Sequence, residues 1–146
     1  MNKKIKRASS KTYNGIDFKS KLEVAIYTLL LKEGFDVKYE NKKFVIWEGF
    51  HPSVPFYNKD RKTNLLKKEN VKIRDITYTP DFTFWYKNTF IIIEAKGFEN
   101  DVFPIKKKLF RKLLEDMYKV GALKPIYFEI FTIKQLKQAI NIIKEL

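Results

Sequence analysis

The sequence predicts an α/β fold in which helices flank a mixed central β-sheet. Apolar residues recur at helical spacing in three segments, and shorter alternating or wholly apolar runs typical of strands lie between them. Helix, strands, helix, strand and helix follow one another along the chain, an order that favours a sheet covered by helices. The chain has 146 residues, the usual size of one domain. We therefore expect residues 1–146 to form a single domain.

The first helix is predicted to begin at Ser20, a typical N-cap residue, with Glu23 at the spacing of a capping box. Gly34 is a typical helix stop. One stripe of apolar side chains recurs at helical spacing between these limits. Its members are Leu22, Ala25, Ile26, Leu29 and Leu30. We expect this stripe to pack into the core, with Glu23 at its margin.

Strand-like residues follow the first helix. Residues 35–40 and 43–48 are predicted to pair as a hairpin around the polar pair Asn41–Lys42. Residues 49–70 then break the pattern with two prolines and several basic side chains, which predicts a long, functional surface excursion. Alternation resumes over residues 71–78 and indicates a further strand.

The most apolar strands and the remaining helices come later in the chain. Residues 81–86 and 89–96 are predicted to form the central pair of strands. Pro104 is well placed in the first turn of a second helix. Residues 125–131 alternate like a buried strand, and Thr132 opens a capping box before a last amphipathic helix.

Composition limits the possible functions. Thirty Lys and Arg against 17 Asp and Glu give a formal charge of +13, so DNA or RNA is the expected partner, for an enzyme or for a purely structural binder. The chain has no cysteine, which excludes disulfides, zinc ribbons and thiol nucleophiles. Neither a signal peptide nor a membrane-spanning run is visible. We expect a soluble cytoplasmic protein with no membrane partner.

Three charged side chains are predicted to converge at the end of the central strand pair. If residues 87–88 form a two-residue hairpin loop, counting back along both strands sets Asp81 directly opposite Glu94. Because side chains alternate between the faces of a sheet, Lys96 lies on the same side as Glu94 and Asp81. Charged groups at the end of a buried strand are typical of functional sites in α/β folds.

Two facing carboxylates repel each other, and a divalent cation would neutralise them. Oxygen ligands from Asp81, Glu94 and the Ala95 backbone carbonyl suit Mg²⁺, with Mn²⁺ as a substitute. Lys96 would lie beside the scissile phosphate, and Glu23 could support a second metal or a water. In the alternative interpretation, Asp81 is a turn residue, Glu94 and Lys96 form an exposed polar face, and Glu23 only caps its helix.

The Pro80–Asp81 pair and the Glu94-Ala95-Lys96 triplet resemble the signature of the PD-(D/E)XK nucleases. Segments Phe18–Glu23, Tyr78–Phe82 and Ile93–Gly97 are similar to three sequence blocks of the phage endonuclease I family of Holliday junction resolvases. The resemblance implies a restriction-endonuclease-like core and a homodimer that cuts branched DNA with Mg²⁺.

The residues that the resemblance implies as active-site groups are Glu23, Asp81, Glu94 and Lys96. It does not extend to the basic excursion or beyond Gly97, so a sequence-specific or general DNA endonuclease or nickase remains an alternative. A non-catalytic basic DNA-binding protein is a second alternative.

Basic side chains in three segments are candidate DNA contacts. They lie in a flexible N-terminal arm predicted over residues 1–13, in the excursion at 49–70, and on the second helix. Their alternative interpretation is an ordinary solvated surface. The candidates are Lys3, Lys4, Lys6, Arg7, Lys11, Arg61, Lys62, Lys67, Lys68, Lys106, Lys107, Lys108 and Arg111.

Overall fold

A computed structural model describes residues 11–97 and 102–146, and this part of the chain has the α/β structure predicted from the sequence. Its helices are α1 (Lys21–Lys32), α2 (Phe103–Lys119) and α3 (Ile133–Lys144). Its strands are β1 (Lys11–Tyr13), β2 (Ile16–Phe18), β3 (Lys38–Tyr39), β4 (Phe44–Trp47), β5 (Phe56–Lys59), β6 (Leu66–Glu69), β7 (Ile76–Tyr78), β8 (Phe82–Tyr86), β9 (Thr89–Ala95) and β10 (Pro125–Ile130).

The central sheet has four strands in the order β10-β9-β8-β3. Strand β10 runs parallel to β9, whereas β8 is antiparallel to both β9 and β3. The sheet is therefore mixed, as predicted. Strands β4 and β7 form a separate antiparallel pair, and so do β1 with β2 and β5 with β6.

Each face of the central sheet packs against its own hydrophobic cluster. Helices α1 and α3 cover one face, where Phe82 and Ile93 meet Leu30 and Ile140. Helix α2 and the β4–β7 pair cover the other face, around Ile92. Because side chains of β9 alternate between these clusters, Glu94 falls on the α2 face with Ile92. This alternation decides which helix borders the charged end of the strand.

Helix α1 has the predicted boundaries. The Ser20 side chain accepts a hydrogen bond from the backbone N–H of Glu23 at 3.1 Å, and Gly34 beyond the end adopts φ = 86°. The buried stripe, however, is rotated from the predicted one and consists of Glu23, Ile26, Tyr27 and Leu30. The expectation that Glu23 lies at the margin was wrong, because residues at i, i+3, i+4 and i+7 share one face.

Helices α2 and α3 also follow the sequence prediction. Pro104 occupies the first turn of α2, and Gly121 lies beyond its end with φ = 72°. Thr132 and Gln135 form the capping box that begins α3. Among residues 11–97 and 102–146, no helix is both long and apolar enough to cross a bilayer.

The central hairpin has the predicted register. Its ladder pairs Tyr86 with Thr89 and Phe82 with Ile93, and Lys87 in the loop adopts φ = 50°. If this register continues by one residue, Asp81 lies opposite Glu94. The register argument from the two-residue loop is therefore confirmed.

Two strand predictions before β8 were wrong. Residues 35–40 and 43–48 do not pair with each other, because β3 joins the central sheet beside β8 while β4 pairs with β7. Of the strand predicted at 71–78, only Ile76–Tyr78 is regular. Side chains of β4 and β7 are buried beside α2, and Tyr39 of β3 packs in the other cluster with Phe82, so core contacts accompany both distant pairings.

Two further segments differ from expectation. Residues 11–13 of the predicted flexible arm form β1, which pairs with β2 around a turn at Asn14–Gly15. Both turn residues have positive φ, 49° and 74°, as hairpin turns of the mirror-image type require. Strand β10 is an edge strand with only Ile130 fully buried, so the prediction of a buried strand there was wrong.

The excursion at 49–70 contains an antiparallel ribbon of two strands, β5 and β6. Main-chain hydrogen bonds of 2.9 Å in both directions between Phe50 and Ile73 close its base. Gly49 adds a bond from its N–H to Asp75 Oδ1 at 2.7 Å. The excursion is thus an ordered protrusion with a clamped base.

We expect Gly49→Ala to lower the free energy of unfolding by about 1–3 kcal/mol, the usual cost of overpacking. A Cβ at this position would lie 2.1 Å from the carbonyl oxygen of Ile73 and 2.8 Å from the backbone nitrogen of Asp75. Urea denaturation measures the change, with Ser53→Ala in the exposed part of the same segment as control. Equal stability of the two variants would contradict the close approach.

Candidate active site

Asp81 and Glu94 meet at the end of the central hairpin, where both are buried. The backbone N–H of Asp81 donates to Glu94 Oε2 at 3.3 Å, and the N–H of Ala95 donates to Asp81 Oδ2 at 2.8 Å. Each carboxylate is therefore held by the backbone of the opposite strand. The register brings the two acids together, and these hydrogen bonds fix their orientation.

A tyrosine supports Glu94 from the neighbouring strand β7. The hydroxyl of Tyr78 donates to Glu94 Oε2 at 2.5 Å and lies 3.3 Å from the hydroxyl of Tyr127. Burial and then the negative charge of Glu94 raise the pKa of Tyr78, so its hydroxyl keeps its proton and remains a donor. The sequence interpretation missed Tyr78 as a site residue, although it lies in the same short block as Asp81.

Lys96 points to the same carboxylate. Its ammonium lies 3.1 Å from Glu94 Oε1, and it also lies 2.8 Å from the centroid of the Phe103 ring in α2. The lysine is 7% exposed. A buried cation costs free energy unless it is paired, and Glu94 together with the aromatic face supplies that pairing. Asp81, Glu94 and Lys96 therefore lie close together, as the sequence predicted.

The site disfavours the ionised form of Asp81. Burial, followed by the charge of Glu94, raises the pKa of Asp81 to about 8, while the hydrogen bond from Ala95 opposes the shift. Glu23 adds to the effect from a greater distance. A cation placed between the acids would relieve the repulsion that disfavours ionised Asp81.

Glu23 is buried on α1, close to the pair but separate from it. Its Oε2 accepts a hydrogen bond from the backbone N–H of Lys19 at 3.0 Å and another from the Tyr39 hydroxyl at 2.7 Å. Glu23 therefore caps the backbone N–H of Lys19, the residue before the N-cap Ser20. These bonds explain part of its burial, and its negative charge adds to the causes that raise the pKa of Asp81.

A polar cleft of about 460 Å³ opens onto the two acids. Lys19 and Glu40 form an ion pair on its wall, and Lys106 approaches from α2. Burial works against the charged form of Lys19, but Glu40 first, and then Asp81 and Glu23, raise its pKa above the ordinary value. Lys19 was not predicted as a site residue, although it lies in the Phe18–Glu23 segment that carries part of the family resemblance.

The donor atoms at this end of the sheet suit a hard cation. Asp81 and Glu94 offer carboxylate oxygens, and the Ala95 main chain, which already contacts Asp81, offers a carbonyl. Across the described ranges 11–97 and 102–146, no three or more His, Cys, Asp or Glu side chains are grouped to hold a metal ion. The two acids are thus a pair, to which a cation would add main-chain and water oxygens, and Glu23 stands outside their group.

The candidate DNA contacts are scattered, and of those that the structure describes Lys106 alone lines the cleft. Lys3, Lys4, Lys6 and Arg7 lie outside the described residues. Lys107 is engaged by Glu129 at 2.8 Å, and Glu129 pairs with Glu94 in the ladder between β10 and β9. The other candidates are exposed, except Lys106, which is half-buried at the cleft. They are Lys11 on β1, Arg61, Lys62, Lys67 and Lys68 on the ribbon, and Lys108 and Arg111 on α2.

We expect the metal-free protein to lose stability as pH rises from about 4 to about 8 through the titration of Asp81. Its folded pKa is raised, so the folded chain holds a proton that the unfolded chain, with an ordinary pKa of about 3.9, has released. Asp81→Asn should flatten this part of the profile. Thermal unfolding in a chelating buffer measures it.

The matched control is Asp36→Asn, which changes an exposed carboxylate. This variant should keep the slope of the unaltered protein between the same pH values. A profile of Asp81→Asn that parallels the unaltered protein would contradict the raised pKa.

Comparison with known proteins gives one family. Residues 3–129 match the family described as "Protein of unknown function (DUF1064)". No curated protein and no solved structure matches the chain. The matched segment spans most of the chain and includes Glu23, Asp81, Glu94 and Lys96. The chain therefore belongs to the DUF1064 family.

Proposed function

We propose that this protein is a metal-dependent DNA endonuclease that hydrolyses phosphodiester bonds. The observation that carries the proposal is the buried pair of Asp81 and Glu94, fixed by strand register at an open polar cleft, with Lys96 paired to Glu94. A formal charge of +13 supplies the attraction to a polyanion. A buried acid pair with an adjacent lysine is costly to a fold, which favours a chemical use over a purely structural one.

Each residue has a distinct task in the proposed reaction. Asp81, Glu94 and the Ala95 carbonyl would hold Mg²⁺, or Mn²⁺ as a substitute. Such a cation would supply Lewis acidity for a phosphate oxygen and for an attacking water. Lys96, whose ammonium is held 3.1 Å from Glu94 Oε1, would stabilise the negative charge that develops on the phosphate. Tyr78 keeps Glu94 oriented through its short hydrogen bond.

A restriction-endonuclease-like core, implied by the resemblance to PD-(D/E)XK nucleases, is part of the proposal, and the observed α/β structure is compatible with it. The mixed sheet has helices on both faces, and the motif residues stand at adjacent ends of β8 and β9. Of the three segments similar to phage endonuclease I, Tyr78–Phe82 and Ile93–Gly97 meet at the acid pair. The first segment contributes Lys19 to the cleft wall and Glu23 to its surroundings.

Branched DNA is the substrate that we propose, with a homodimer as the active form. Two opposed strands of a four-way junction must be cut, and two copies of one site meet that requirement by symmetry. The proposed activity belongs in the cytoplasm, that of the host if a phage encodes the chain. A sequence-specific or general nickase would use the same acids but would cut linear duplex equally well.

A four-way junction, a linear duplex of matched sequence and Mg²⁺ test the proposal with purified protein. We expect nicking of the junction that a chelator abolishes. Asp81→Asn, Glu94→Gln and Lys96→Met should each reduce the rate by about 100- to 1,000-fold, as loss of a group that stabilises charge in the transition state does. Gel analysis of end-labelled strands measures both substrate choice and rate.

The exposed ion pair of Asp36 and Lys38, 2.8 Å apart, provides matched controls. Asp36→Asn and Lys38→Met should leave the cleavage rate unchanged. DNA binding by the unaltered protein without cleavage in Mg²⁺ or Mn²⁺ would instead support a non-catalytic DNA-binding protein. In that case Glu94→Gln would alter only stability.

Glu23→Gln separates a supporting part in catalysis from simple helix capping. We expect its cleavage rate to fall by about 10- to 100-fold, with a higher Mg²⁺ concentration at half-maximal rate, as for groups around metal ligands. Ser20→Ala is the control, because it removes the cap and costs about 1 kcal/mol of stability without touching the charge. If both variants lose stability alike and cleave at the normal rate, Glu23 is only a capping residue.

A further inference from the structure

The ribbon formed by β5 and β6 is exposed on both faces. Every residue of the two strands is exposed, including Tyr57 at 57% and Leu66 at 77%. A two-stranded hairpin without a covered face is at best marginally stable in water. Its clamped base at Phe50 and Ile73 holds it in place, but nothing within residues 11–97 and 102–146 buries either face.

The two faces of the ribbon differ in charge. The ladder pairs Tyr57 with Lys68 and Lys59 with Leu66, and because side chains alternate, these four residues share one face. This cationic face carries two lysines and no acid. The opposite face has Lys67 with Glu69, and Lys67 lies 3.8 Å from Asp60.

The tip of the ribbon adds further positive charge. Arg61 and Lys62 lie in the turn, where the side chain of Asp60 accepts the backbone N–H groups of Lys62 at 2.8 Å and Thr63 at 3.0 Å. These backbone hydrogen bonds lower the pKa of Asp60 below its usual range. Asp60 therefore stays ionised, and its carboxylate binds the backbone of the turn. The turn is therefore ordered, and its basic side chains are presented outward.

The dimensions of the ribbon match a groove of duplex DNA. Its two strands lie about 5 Å apart, and the major groove, about 12 Å wide, admits a two-stranded β-ribbon. The chain from Asp75 at the ribbon base to Asp81 can span at most about 20 Å, so the base of the ribbon lies near the acid pair.

We propose that the β5–β6 ribbon is a DNA-binding arm whose cationic face, Tyr57, Lys59, Leu66 and Lys68, enters a groove of the duplex beside the cleavage site. The inference rests on the proposed action on DNA and names how the duplex is held. Lys59 and Lys68 contact phosphates, while Tyr57 and Leu66 pack on sugars and base edges. A second copy of this chain is a poorer occupant, because pairing two cationic faces would bring like charges together.

Equilibrium binding of a fluorescent duplex in a chelating buffer tests the arm without any cleavage. Each lost phosphate contact should reduce the slope of log K against log salt by about 0.9, so Lys59→Gln with Lys68→Gln should make it shallower by about 1.8. Affinity near physiological salt should fall about tenfold. Lys134→Gln with Lys137→Gln removes equal charge from the exposed side of α3 and should change the slope little.

A second comparison uses neighbours on opposite faces. Lys68→Gln should reduce the slope by about 0.9, whereas Lys67→Gln should have a smaller effect because it faces away and lies near Asp60. Equal slopes for the double ribbon variant and the unaltered protein would overturn the proposal. So would an equal loss in the α3 control, which would indicate net charge alone.

Sedimentation and cleavage complete the test. If the double ribbon variant changes from dimer to monomer while its salt slope is unchanged, the ribbon is an interface between two copies and the proposal fails. Cleavage assays separate this inference from the proposed function. If DNA binding depends on the ribbon but no cleavage occurs, the arm is supported and the proposed nuclease activity is refuted. If the protein cleaves DNA but binding does not depend on the ribbon, the nuclease activity is supported and the arm is refuted.

Discussion

The tight turn at Lys87 and Asn88 fixes which residues of β8 and β9 face each other, and the rest of the site depends on that register. A ladder that begins at the turn and stays regular to Phe82 leaves Asp81 and Glu94 as the next facing pair. Slippage by one residue would turn each apolar side chain of a strand to the opposite face, so both hydrophobic clusters stabilise the register. The same packing that builds the core therefore brings two acids together.

Acids that meet in this way must be held and neutralised. Backbone N–H groups of the opposite strands, the Tyr78 hydroxyl and the Lys96 ammonium all point at the carboxylates. These donors do not remove the repulsion, since burial and Glu94 still raise the pKa of Asp81. A cation between the acids would favour the ionised form of Asp81, and the cleft beside Lys106 opens onto both acids.

Local signals in the sequence predicted the helices well and the strand pairings less well. Ser20, Thr132 and the glycines beyond the helices act through nearby backbone groups, so their effects can be read from a short window. The expected hairpin at 35–48 failed because β3 and β4 find partners about 30 or more residues away. The Asn14–Gly15 pair was a usable hairpin signal that the basic composition of the arm obscured.

The sequence by itself determined the α/β class, the central register, and hence the meeting of Asp81, Glu94 and Lys96, because alternation and turn length are local rules. Only the tertiary structure decided that Tyr78 binds Glu94, that Glu23 is buried, and that residues 49–70 form a clamped ribbon. Those features depend on contacts between segments far apart in the chain. Local propensity does not encode such contacts, which form only when the whole core packs.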